Sequence, residues 1–275
     1  MARAPRDGGE GGGATARLGG LFGETLAVLR RQWFWYLAIV VVLGGPTELA
    51  RWLLEKQFPA DPGQPFGLAT LLSNGVFLIT AAIGLGMLSR LVLDDQAGWR
   101  IVWWRVLEAP WRRFLPLMAA QAAMQSVSIL LDLSGLAQSY PSFGLFGGTF
   151  IGAISMAVWS TAAVVATAED GGPWRTLSRA AYLTSNRRPA IYGYCIFWML
   201  AVYLIPIALM DAALSTFAAP WLRDGSPWQG VLLVGRLAVV QLLNWSYDVS
   251  QVLLYLRLTR IKDGLGPGEA GDVFD

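Results

Sequence analysis

Eight polar residues sit inside otherwise apolar stretches of this chain, at spacings that gather them onto helix faces. Gln121, Gln125, Ser128 and Asp132 follow i, i+4, i+7, i+11, so at 100° per residue they fall within about 60° of one another. Gln241, Asn244, Asp248 and Gln251 follow i, i+3, i+7, i+10 and cover about 80°, a sector that Tyr255 extends along the helix toward the expected cytoplasmic end. Such faces can line a polar path or hold a polar headgroup, and ionisable groups inside a membrane are functional candidates by default. The competing role is interhelical hydrogen bonding, worth about 0.6 kcal/mol per bond and enough to hold a bundle together. Asp248 is the deepest acid, and by depth Arg90 is its expected cation.

Other chemistry is excluded by what the chain lacks. There is no histidine, and the only cysteine is Cys195. No imidazole base, Ser-His or Cys-His pair, HExxH helix or His-ligated metal can form. The sequence therefore predicts no enzyme, metal or cofactor, and reads Cys195 as a small buried apolar residue.

The elements that must carry the polar faces follow from composition. The chain has 275 residues, 55% hydrophobic and 15% charged, with mean hydropathy +0.46. Soluble domains carry roughly 25% charged residues, so much of this surface is expected to face lipid. Apolar runs near the roughly 20 residues that cross a hydrocarbon core are Trp33 to Leu54, Leu68 to Leu93, Phe114 to Leu136, Thr149 to Ala168, Pro189 to Leu214 and Gly230 to Leu256. The expected fold is an all-α polytopic membrane protein with six transmembrane helices, over residues 21–262. Residues 1–20, rich in glycine and without the apolar core of a signal peptide, read as a disordered arm, and residues 263–275 as a flexible tail.

Charge segregation orients this ladder. Seventeen of the 21 Lys and Arg lie on one side of it, against Arg51, Lys56 and Arg223 on the other and Arg236 within the last run. Under the positive-inside rule both termini are expected in the cytoplasm of a bacterial inner (plasma) membrane.

Three segments before the odd-numbered runs share a plan: LFGETLAVLRRQWFWYL, WRIVWWRVLEAPWRRFLPL and WRTLSRAAYLTSNRRPAIY. Each mixes apolar and arginine positions, reaches an arginine pair (Arg30 and Arg31, Arg112 and Arg113, Arg187 and Arg188) and enters a run. Each even-numbered run leaves at acid and glycine: Asp94 and Asp95 before Gly98, Glu169 and Asp170 before Gly171, Asp263 before Gly264. One reading is three repeated hairpins, each preceded by an interfacial amphipathic helix; chance similarity is the other. Arginine interleaved with Trp99, Trp103, Trp104 and Trp111 suits the headgroup layer. Arg30, Arg31, Arg100, Arg105, Arg112, Arg113, Arg175, Arg179, Arg187 and Arg188 are the candidate lipid-headgroup contacts. The same interleaving can mark a nucleic-acid surface, but its attachment to membrane runs predicts lipid and no nucleic acid.

The segment AAVVATAEDGGPWRTLSRAAYLTSNRRPAIYG, residues 162–193, resembles bacterial six-helix proteins of the glycerophosphoryl diester phosphodiesterase membrane-domain type. Glu169 ending a run, Gly172 and Pro173, Leu177 with Arg179, and the re-entry at Arg187 and Arg188 carry the likeness. Ala180 and Ala181 depart from it, since Ser-Trp is more usual there. The resemblance implies membrane residence and a helical fold, not hydrolysis, because the phosphodiesterase of such proteins is a separate soluble domain. The leading expectation is a non-enzymatic membrane protein whose basic interfacial helices hold anionic lipid or a membrane-protein partner. The rival is a small transporter or lipid-handling channel built on the two polar faces.

Overall fold

The computed structural model describes residues 13–39, 68–134, 148–213 and 227–263, with isolated positions between 42 and 57. Among the described residues the regular elements are helices, and no strand occurs. They are α1 (Gly13–Ile39), α2 (Leu68–Gln96), α3 (Trp103–Arg112), α4 (Phe114–Ser134), α5 (Gly148–Trp159), α6 (Ala162–Ala168), α7 (Pro173–Thr184), α8 (Arg188–Ala213) and α9 (Pro227–Asp263). Helix α1 begins inside the segment 1–20 that composition assigned to the arm, and the segment 264–275 lies outside the described residues.

Three segments are long and apolar enough to cross a membrane: Leu71–Gln96, Phe114–Leu131 and Phe150–Ala168. Their apolar character continues onto the surface, where Leu71, Leu115, Leu130, Phe150, Ile151 and Ile154 are exposed. A soluble domain would not leave so much large apolar surface uncovered; a membrane protein presents it to lipid.

Contacts run from α1 to α9, to α8, to α5, to α4, to α2 and back to α1, so the long helices close a ring. The short α6 lies within it, touching α2, α4 and α9. Its residues Ala162, Ala163, Val164, Val165 and Ala166 are all buried, and small side chains are what let helices approach this closely in a membrane.

Hydropathy reads residues 149–168 as one run, but the helix breaks between α5 and α6. Thr161 takes φ −96° and ψ 0°, outside regular helix, with neither glycine nor proline at the break. The carbonyl of Val158, beside the break, instead accepts a hydrogen bond from Thr184 Oγ1 of α7 at 3.0 Å. Ser155 Oγ reaches Met124 O of α4 at 3.1 Å, tying α5 to its neighbour.

The arginine pairs all fall where helices bend. In α1 the bend is at Gln32 (φ −111°, ψ 18°), just after Arg30 and Arg31. Arg113 separates α3 from α4 with φ −116° and ψ 22°. Ser185 to Arg187 form the turn between α7 and α8. Two of the leading segments are strongly amphipathic: α3 buries Val106 and Pro110 while Trp104 and Trp111 stand exposed, and α7 buries Thr176, Ala180, Leu183 and Thr184 while Trp174 is 81% exposed. Trp35 stacks on Trp103 with centroids 5.1 Å apart, joining α1 to α3.

Candidate functional site

A cavity of about 180 Å³ lies where α2, α4, α5 and α9 meet. One water needs about 10–15 Å³ on this measure, so the space holds several waters or one small molecule. Its wall on α2 is the ridge Phe77, Thr80, Ala81, Gly84, Leu85 and Leu88, a repeating three-and-four spacing that puts one helix face toward the cavity. From α4 come Gln121, Met124 and Gln125, from α5 Met156, and from α9 Gln241, Asn244, Trp245, Tyr247 and Asp248. Leu43 and Thr47, from the segment after α1, complete it.

Five of the eight polar residues singled out by spacing therefore meet here: Gln121 and Gln125 from one face, Gln241, Asn244 and Asp248 from the other. Ser128 does not line the cavity, and the side chain of Asp132 lies outside the described residues. Gln251 is fully buried one turn further along α9, and neither its Oε1 nor its Nε2 has a hydrogen-bond partner.

The polar groups in the wall differ in how they are used. Thr47 Oγ1 donates to Leu43 O at 2.6 Å and Thr80 Oγ1 to Val76 O at 2.8 Å, so both hydroxyls are turned back onto carbonyls four residues earlier. Gln121, 5% exposed, keeps Oε1 buried without a partner. A buried polar atom left unpaired costs about 1–3 kcal/mol, which makes that carbonyl a ready acceptor.

Asp248 is the only charged side chain lining the cavity among the described residues, and none of their ion pairs includes it. Depth had suggested Arg90 as its partner. Arg90 instead binds Asp94 at 2.9 Å, one turn away on α2, and lies 5.8 Å from the Trp99 ring. The helical i, i+4 spacing made the nearer acid the better partner.

The arginines at the helix bends have acids as well as solvent within reach. Arg31 pairs with Asp95, whose other oxygen accepts from Gln32 Nε2 at 2.8 Å. Arg113 pairs with Asp170, and Arg112 binds Glu108 at 2.7 Å. Arg179 forms the largest cluster, reaching both oxygens of Glu169 at 3.1 and 3.2 Å and pairing with Asp263. Tyr255 donates to the same Glu169 at 3.1 Å. Burial works against the charge on Arg179, but the hydrogen bonds it donates to Asp263 and Glu169 outweigh it and hold the guanidinium's pKa above its ordinary range. Arg188 donates to Ala181 O at 3.2 Å, and Arg187 is half-buried. Arg30, Arg100, Arg105 and Arg175 are exposed. Of the ten candidate headgroup contacts, Arg31, Arg112, Arg113 and Arg179 thus engage carboxylates of the protein itself.

Among the described residues no group of three His, Cys, Asp or Glu side chains could hold a metal ion. Cys195 is buried, 3.5 Å from Tyr247 Oη. No protein-family model matches the chain, and no curated protein or solved structure matches it either.

Proposed function

We propose that this is a six-span protein of the bacterial inner membrane, of the transporter or channel class, whose interior cavity takes up a small polar ligand. The observation that carries the reading is the convergence of Gln121, Gln125, Gln241, Asn244 and Asp248 on one cavity. Interhelical hydrogen bonding alone would leave such groups paired with one another. Instead Gln121 Oε1 has no partner and Asp248 has no cation among the described residues.

Depth supports the same reading. At 1.5 Å per residue, Gln121 and Gln125 lie about 10 and 16 Å beyond Phe114, the start of α4, near the middle of a hydrocarbon core about 30 Å thick. Helices α8 and α9, of 26 and 37 residues, have the length to span it. With the run that begins at Trp33 they bring the count to six, with both termini cytoplasmic. The fold then reads as three hairpins, each led by an interfacial helix that bends at its arginine pair. The break at Ser160 and Thr161 fits this class, because irregular backbone at membrane depth is tolerated only inside protein or beside a cavity.

A second reading, in which the interfacial helices bind anionic lipid, is favoured by the exposed Trp104, Trp111 and Trp174 beside exposed Arg105 and Arg175. The two are compatible: a collar at the headgroup layer can seat a bundle that handles a ligand. The acid partners of Arg31, Arg113 and Arg179 make the collar the weaker carrier of function.

Cysteine accessibility tests the cavity. In full-length protein carrying Cys195→Ser, Gln125→Cys and Gln241→Cys should react with a water-soluble thiol reagent in intact membranes, whereas Leu130→Cys, on the exposed apolar surface, should not. If both polar positions resist the reagent until the protein is denatured, the proposal is wrong.

A further inference from the structure

Resting on the cavity reading, we infer that the ligand is a small organic cation bearing an ammonium group, held by Asp248. The cavity wall carries one carboxyl group and, among the described residues, no basic side chain. Arg90 is engaged by Asp94. A carboxylate in a low-dielectric interior is costly unless paired, so Asp248 is ionised there when one positive charge sits beside it. A single carboxylate suits a monovalent ion and does not neutralise a divalent one.

The rest of the wall selects among monovalent cations. The amides of Gln121, Gln125, Gln241 and Asn244 in the wall carry further acceptors, the Oε1 of Gln121 being buried and unpaired. An ammonium carries up to three N–H donors, which suits one carboxylate flanked by amide oxygens. An alkali ion needs oxygens converging on a point, while this cavity of about 180 Å³ is bounded largely by Phe77, Leu85, Met124, Met156 and Trp245. Those apolar groups fit the carbon skeleton of an organic cation, and the rings of Phe77 and Trp245 favour positive charge. The ammonium could belong to a free alkylamine or to an ethanolamine lipid headgroup.

The test is binding to purified full-length protein in detergent, followed by ligand-observed NMR and thermal stabilisation. The probes are ethylammonium, sodium, the neutral propionamide, the anionic propionate, and short-chain phosphatidylethanolamine or phosphatidylglycerol. Ethylammonium should bind at least tenfold more tightly than propionamide or propionate, and sodium should not displace it. Asp248→Asn, which keeps size and hydrogen bonding, should lose that preference while remaining monodisperse; Gln121→Leu should weaken ethylammonium several-fold. Phosphatidylethanolamine competing where phosphatidylglycerol does not would assign the headgroup as source, and no competition by either would assign the free amine. Equal binding of propionamide, or undiminished ethylammonium binding by Asp248→Asn, would overturn the cation assignment while leaving a polar cavity. Failure of every probe to bind, with Gln125→Cys unreactive, would instead overturn the cavity reading beneath it.

Discussion

Replacing Gly86 with alanine puts a methyl group where α2 meets both α3 and α4. The added Cβ would stand 2.7 Å from Leu117 Cδ1, 3.0 Å from Pro110 Cβ and 3.2 Å from Pro110 Cα, whereas carbon atoms rest about 3.5–4.0 Å apart. Leu117 is 1% exposed, so its δ-methyl would have to shift within packed surroundings. Pro110 cannot yield at all without moving α3, because its ring and backbone are the clashing atoms. Overpacking of this kind costs about 1–3 kcal/mol, and the better helix propensity of alanine offsets at most about 1 kcal/mol of it. Gly193 is the matched control, since nothing lies within 4 Å of a Cβ there. Gly86→Ala should therefore destabilise, and Gly193→Ala should be neutral or slightly stabilising. Reversible unfolding in mixed micelles titrated with sodium dodecyl sulfate, read by tryptophan fluorescence, measures both. Equal midpoints for the two variants would refute the packing described for α2.

Two further substitutions probe the arginine-carboxylate cluster and the broken helix. Arg179→Lys should cost about 1–2 kcal/mol in the same assay, because an ammonium cannot reproduce the fork that serves Glu169 and Asp263 together, and it should make the chain end more open to protease; unchanged cleavage would count against the cluster. Thr184→Val, which keeps shape but removes the hydroxyl bonded to Val158 O and Ala180 O, should lose about 1 kcal/mol, while Thr184→Ser should recover most of it.

The two polar faces were readable because helical geometry is periodic: residues at i, i+4 or i, i+3, i+7 share a side whatever the tertiary fold. Their meeting at one cavity was not, since sequence gives each face its direction but not its neighbour across the bundle. The α2 contribution was invisible for a related reason. Thr80, Gly84 and Leu85 form no polar stripe, and only packing turns that ridge toward Asp248. Apolar runs located α2 and α4 within a few residues, and Arg188–Ala213 against an expected Pro189 to Leu214. They missed the break at Ser160 and Thr161, because hydropathy averages over a window and these two hydroxyls barely lower it. Trp52 and Trp221 lie outside the described residues, as does the side chain of Trp228 at the start of α9. Arginine beside tryptophan announced an interface, but a guanidinium meets phosphate and carboxylate with the same fork. Only coordinates could separate Arg179, bound to acids of its own chain, from Arg105.

The ion pairs at the rim also bear on how such a chain is made. In the proposed three-hairpin arrangement, Arg31 with Asp95, Arg113 with Asp170 and Arg179 with Asp263 each join the entrance of one hairpin to that hairpin's own exit. Each latch can therefore snap shut as soon as its two strokes through the bilayer have left the ribosome, without waiting for the next to be synthesised. Two carboxylates among the described residues reach across to later helices: Glu169 to Arg179 of α7, and Glu24 of α1 to Arg257 of α9 at 2.7 Å, a contact that closes only once the last helix has been made.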